Sequence, residues 1–193
     1  MFTKATFPNT LCYLRVLLTL IAGIIWYYLP IPTAYALMLP LFIAAALTDW
    51  LDGYFARKWQ VQSAYGAMID QITDKLFVCT FLIMLLDDEL ISSVPAILII
   101  CREIFVSGLR EYLANEGKSV PVSKAGKFKT ALQMIALSLV LFGFVIAQHA
   151  ALFGEGWRMV AETLWQTGRY VLWAAAAAAL YSAWEYARGL SRV

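Results

Sequence analysis

Residues 49–74 read DWLDGYFARKWQVQSAYGAMIDQITD. The stretch holds Asp49-x2-Asp52-Gly53-x2-Ala56-Arg57-x8-Gly66-x3-Asp70-x3-Asp74. Positions three or four apart on a helix share a face. Asp49, Asp52, Gly53 and Ala56 therefore predict one stripe, and Gly66, Asp70, Thr73 and Asp74 a second. If the two helices are antiparallel neighbours across the short polar link Arg57–Ser63, both acidic stripes face one cleft. Four like charges that close repel and cannot all stay ionised unaided. Bound divalent cations would remove the repulsion. An all-carboxylate ligand set favours a hard ion such as Mg2+ or Mn2+ over zinc, which prefers His and Cys. Paired hard metals are the usual machinery of phosphoryl transfer. With no Cβ, Gly53 and Gly66 let a ligand or a facing backbone come close, and Arg57 offers a forked cation to phosphate.

The surroundings of this stretch set the class. Of 193 residues, 62% are hydrophobic and 15% charged, with mean hydropathy +0.70. A soluble domain of this length carries nearer a quarter charged residues. Ionisable groups inside membrane segments are costly, so four acids embedded in such a chain need a function. Solvated helix ends, the bland explanation for one acid near a membrane surface, do not account for four at two matching spacings. The net charge of +2 and the lack of a basic tract argue against a nucleic-acid partner. Cys12, Cys79 and Cys101 form no CxxC pair and read as small packing residues. His149 has no nucleophile at catalytic spacing and reads as an interfacial residue.

Apolar runs cover approximately 10–30, 34–57, 65–86, 92–114, 125–149 and 167–188, predicting an all-α integral membrane protein with six transmembrane helices in a single domain, residues 1–193. Pro30 and Pro32 separate the first two runs, Asp87-Asp88-Glu89 the third from the fourth, and Asn115-Glu116-Gly117-Lys118 closes the fourth. Gly154-Glu155-Gly156 falls in the loop before the sixth. Lys and Arg placement predicts orientation. Lys4, Arg57, Lys58, Lys118, Lys124, Lys127, Lys129, Arg188 and Arg192 collect on one side. Arg158 and Arg169 fall opposite with the acidic 87–89 cluster. Both termini and the aspartate motif are therefore expected on the cytoplasmic side of a multi-pass protein.

The motif resembles the signature of the CDP-alcohol phosphatidyltransferase family, all eight fixed positions standing at that family's intervals. The resemblance implies a six-helix bundle, usually a homodimer, in the bacterial plasma (inner) membrane. It implies transfer of a phosphatidyl group from CDP-diacylglycerol to an alcohol with release of CMP, assisted by two divalent cations, Mg2+ or Mn2+. By position it makes Asp49, Asp52 and Asp70 metal ligands. Asp74 becomes the general base and a further metal ligand. Gly53, Ala56, Arg57, Ser63 and Gly66 would hold the CDP portion, with Asn9 and Thr10.

Arg102-Glu103-x3-Ser107-x2-Arg110-Glu111, Ser123-x2-Gly126-Lys127-x-Lys129-Thr130-x2-Gln133-Met134, Asn9-Thr10-Leu11 and Arg15 resemble the branch of the family whose acceptor is sn-glycerol 3-phosphate. That branch implies acceptor-phosphate contacts from Arg110, Lys127, Lys129, Arg15 and Arg102. The residues agree with an anionic acceptor, because Glu103, Ser107, Arg110 and Glu111 share a stripe and a phosphate needs cations. Lys127 and Lys129 stand about 200° apart on an ideal helix, so both reach one phosphate only if the helix begins between them. Each is otherwise an anchor to lipid phosphates. Other acceptors (serine, an inositol phosphate, phosphatidylglycerol) would use the same chemistry. An ion-coupled transporter would place its acids near the midplane within inverted repeats, and no repeat is visible here.

Overall fold

The computed structural model describes residues 6–61, 63–117, 124–150 and 154–190. Those residues form six α-helices and no strand: α1 Phe7–Tyr28, α2 Ile31–Lys58, α3 Ala64–Asp87, α4 Ser93–Asn115, α5 Lys124–Gln148 and α6 Glu155–Leu190. Phe7–Tyr28, Ile31–Lys58 and the Phe128–Gln148 part of α5 are long and apolar enough to cross a membrane. The remaining helices interrupt their apolar faces with groups such as Asp70, Asp74, Arg102 and Glu103. Large apolar side chains stand exposed along the helices, among them Leu20, Ile24, Leu47, Ile97 and Ile104. In water such a surface would aggregate; in a bilayer it is solvated.

Five helices follow the apolar runs to within a few residues. The sixth begins at Glu155, not near 167. Arg158, Glu162, Thr163 and Gln166 break the apolar run there without breaking the helix. Thr163 donates back to Met159 O (2.8 Å) and Gln166 Nε2 to Glu162 Oε1 (2.8 Å). Trp165 Nε1 donates to Leu90 O at 2.9 Å, tying this turn to the chain after α3. Gly154, at φ +94°, supplies the left-handed residue before the helix.

The chain divides into two compact units, Met1–Met84 and Leu85–Val193. In the first, α1 packs on α2, and α2 meets α3 through aromatic rings. Phe42 stacks on Phe77 (centroids 5.1 Å) and meets Phe81 edge-on (5.0 Å). The α2–α3 link is set locally. Gln60, at φ 55°, closes α2 with Gln60 N donating to Arg57 O (3.3 Å) and Val61 N to Ala56 O (3.1 Å), a Schellman arrangement. Ser63 Oγ then accepts from Gly66 N at 3.0 Å and caps α3. In the second unit α6 packs along α5 and also meets α4. A Cβ on Gly143 would lie 2.6 Å from Trp165 N, and one on Gly168 would lie 2.8 Å from Val140 N. The α5 and α6 backbones touch where these glycines sit.

Candidate active site

The α2 and α3 stripes converge, and α1 supplies the group that joins them. Pro8, Cys12, Arg15, Thr19 and Ala22 form the buried stripe of α1. Arg15, 1% exposed, reaches all four aspartates. Its Nη2 holds the α2 pair, Asp49 Oδ1 at 3.1 Å and Asp52 Oδ2 in a very short contact. Its Nη1 holds the α3 pair, Asp70 Oδ1 at 3.3 Å and Asp74 Oδ1 in another very short contact, together with Thr73 Oγ1 at 3.1 Å. One planar fork thus spans two helices, the geometry that suits guanidinium better than ammonium.

The donor set fits a hard divalent ion. Oxygens of Asp49, Asp70 and Asp74 lie within 4.8 Å of one another, as do ligand atoms of Cys12, Asp52 and Asp70. Asp52 is buried, while Asp49, Asp70 and Asp74 keep partial exposure. Buried carboxylates require partners, and oxygen ligands at this density suit Mg2+ or Mn2+.

Beside the ring a cavity of about 200 Å³ opens, lined by Asn9, Gly53, Ala56, Arg57, Ser63 and Gly66 together with Asp52 and Asp70. Six of the seven residues expected to hold the CDP portion therefore meet on one surface. The seventh, Thr10, does not line it; its hydroxyl bonds to Thr6 O at 3.1 Å. A Cβ on Gly66 would stand 2.8 Å from Asn9 Oδ1 and 3.1 Å from Ser63 Oγ. Glycine there lets the α1 amide and the α3 cap share the cavity floor. Pro8, Cys12, Val61 and Ala67 complete the wall.

The family model described as CDP-alcohol phosphatidyltransferase matches residues 5–181. The chain belongs to the CDP-alcohol phosphatidyltransferase family. A protein of Rickettsia bellii named CDP-diacylglycerol–glycerol-3-phosphate 3-phosphatidyltransferase is 39% identical over 84% of this chain and 83% of its own length. Proteins of the same name from Cereibacter sphaeroides (33%, over 94% and 93%) and Pseudomonas fluorescens (38%, over 85% and 87%) are similar along most of both chains. With its apolar helices, this family member is a membrane protein, and its acidic groups can hold a metal ion.

The cations expected for the acceptor lie in different settings. Arg15 is drawn into the carboxylate ring, and only its buried Nε has no partner. Arg102 donates to Glu103 (3.3 Å) and, in a short contact, to Ser182 of α6; Lys129 of α5 pairs closely with the same Glu103. Arg102, Glu103, Lys129 and Ser182 are all buried, so this node joins α4, α5 and α6. Arg110 lies over the Tyr186 ring at 5.6 Å, with a buried, unpartnered Nε. Helix α5 begins at Lys124, so Lys127 and Lys129 both stand within it; the Lys127 side chain lies outside the described residues.

Two residues escaped the sequence reading. Cys12 is no mere packing residue: its Sγ lies 3.4 Å from Asp52 Oδ2 on the cavity wall. The spacing Pro8, Cys12, Arg15, Thr19 on α1 was the available signal, a polar stripe where a lipid-facing helix has none. Glu103 is, in sequence, one acid of a polar stripe, and nothing local announces that it binds a lysine 26 positions away. Cys101 is exposed and does not pack in a core.

Proposed function

We propose that the protein transfers the phosphatidyl group of CDP-diacylglycerol to sn-glycerol 3-phosphate, forming phosphatidylglycerophosphate and CMP. The observation that carries this is the convergence of Asp49, Asp52, Asp70 and Asp74 beside a cavity lined by Asn9, Arg57, Ser63 and Gly66. The relatives named for this reaction supply the acceptor.

In this reading the four aspartates hold two divalent ions, Mg2+ or Mn2+. When bound, such ions neutralise charge on phosphate oxygens and polarise them. The residues of the chain do the rest. Asn9, Thr10, Gly53, Ala56, Arg57, Ser63 and Gly66 seat the CDP portion, with Gly66 allowing close approach. Asp74 takes the proton from the primary hydroxyl of the acceptor, whose oxygen attacks the lipid-side phosphorus in line while CMP departs. Among the described cations proposed for the acceptor phosphate, Arg15, Arg102 and Lys129 pair with carboxylates, whereas Arg110 lies over the Tyr186 ring with its buried Nε unpartnered, so Arg110 is the first choice. Arg102, Lys127 and Lys129 are the further candidates; Arg15, held by four carboxylates, has little left to offer. At about 200 Å³ the cavity is too small for a whole lipid, in keeping with acyl chains that stay in the bilayer. The site and both termini face the cytoplasm of a bacterial inner membrane, and the protein works as a homodimer.

The test is CMP release by the purified protein with CDP-diacylglycerol and Mg2+, comparing glycerol 3-phosphate, serine, an inositol phosphate and phosphatidylglycerol, with an EDTA control. Release only with glycerol 3-phosphate, and none in EDTA, is expected. Release with another acceptor keeps the reaction class and overturns the acceptor.

A further inference from the structure

The aspartates and Arg15 are bound to one another more completely than a phosphate ligand would require. A four-carboxylate ring carries up to four negative charges, and self-repulsion on that scale drives helices apart. Arg15 meets the whole ring. Each of its two terminal nitrogens takes the pair from one helix, Nη2 the α2 pair and Nη1 the α3 pair. The contact is anchored: the side chain is 1% exposed, Thr73 Oγ1 accepts from Nη1, and Thr19 Oγ1 donates to the Arg15 carbonyl at 2.8 Å one turn along α1.

The geometry points to Arg15 as a positioning residue, a resident cation that holds the α2 and α3 carboxylates together and competes with divalent ions for them. The inference rests on the reading of the ring as a divalent site. The fork engages one oxygen of every carboxylate, so an ion bound by the same four groups is left the second oxygens or must share the first. A guanidinium beside a dication also repels it. Two consequences follow from linkage. Arg15 stabilises the protein most when divalent ions are scarce. It also weakens their binding to the folded chain, because a ligand's stabilisation reflects its affinity for that state.

Thermal unfolding of the full chain in detergent micelles, in EDTA and then in millimolar Mn2+, tests this with no substrate present. Arg15→Met removes the charge; Arg15→Lys keeps a charge but cannot fork across both pairs. In EDTA both variants should unfold about 5 °C or more below the native chain. Mn2+ should raise both variants more than the native chain, closing at least half of that gap. Manganese electron resonance titration should show tighter Mn2+ binding by Arg15→Met. If Arg15→Met does not fold in either condition, Arg15→Lys decides by the same criteria. Variants as stable as the native chain in EDTA, or an equal deficit with and without Mn2+, overturn the role. A native chain that responds to Mn2+ beside such variants loses only this inference. A chain in which neither native protein nor variants respond loses the divalent site itself, and with it this inference.

Discussion

At the scale of single residues, the acids of the motif differ in surroundings more than in spacing. Asp52 is buried against Arg15 and Cys12, whereas Asp74 keeps an exposed edge while bound to the same guanidinium. An exposed edge is what a proton acceptor for an incoming hydroxyl needs. Asp74→Asn is isosteric and preserves the capacity to accept from Arg15 while losing the base. It should lower CMP release at least about a hundredfold and leave CDP-diacylglycerol binding largely intact, as measured by protection of the variant against thermal unfolding. Full turnover would remove Asp74 from the base role. The spacing of the four acids was legible because a helix repeats locally. The place of Arg15, expected at the acceptor phosphate, was not legible, since the carboxylates it meets lie 34 to 59 positions along the chain.

At the scale of elements, the glycines divide by what faces them. Gly143 and Gly168 stand where α5 and α6 backbones touch, and no flexible side chain there can yield to a Cβ. Gly108 on α4 has nothing within 4 Å of its would-be Cβ. The same substitution should therefore have opposite signs. Gly143→Ala should destabilise the protein by about 1–3 kcal/mol through forced separation of the helices. Gly108→Ala should stabilise it by about 0.5–1 kcal/mol through helix propensity. Thermal or denaturant unfolding in a fixed micelle checks both; equal signs would mean that the α5–α6 approach does not set the packing. No sequence pattern separated these glycines, because each sits in an apolar helix. Nor did apolar periodicity find the first three turns of α6, where polar residues bond along their own helix and Trp165 reaches Leu90.

At the scale of the whole molecule, charge placement predicts topology. Arg57 and Lys58 close α2 beside the aspartate motif, while Arg158 begins α6. With the motif cytoplasmic, a cysteine placed at Arg158 should react with a membrane-impermeant maleimide on intact spheroplasts. A cysteine at Lys58 should react only after the membrane is opened, each measured against the unsubstituted chain. The reverse pattern would turn the site outward and remove it from cytoplasmic glycerol 3-phosphate.

What the sequence determined by itself was local: helices from apolar runs, their ends from Pro, Gly and acidic clusters, and an acidic motif whose helical spacing announced a metal-like site. Each depends on neighbours within a turn or two, where geometry follows directly from residue order. Only the tertiary structure decided which cation meets which acid. Four aspartates from two helices close on Arg15 of a third, and Glu103 of α4 gathers Arg102 and Lys129 with Ser182 of α6 beside them. Buried charges take the partners that packing brings within reach, and helix packing is a non-local property that no window of sequence contains.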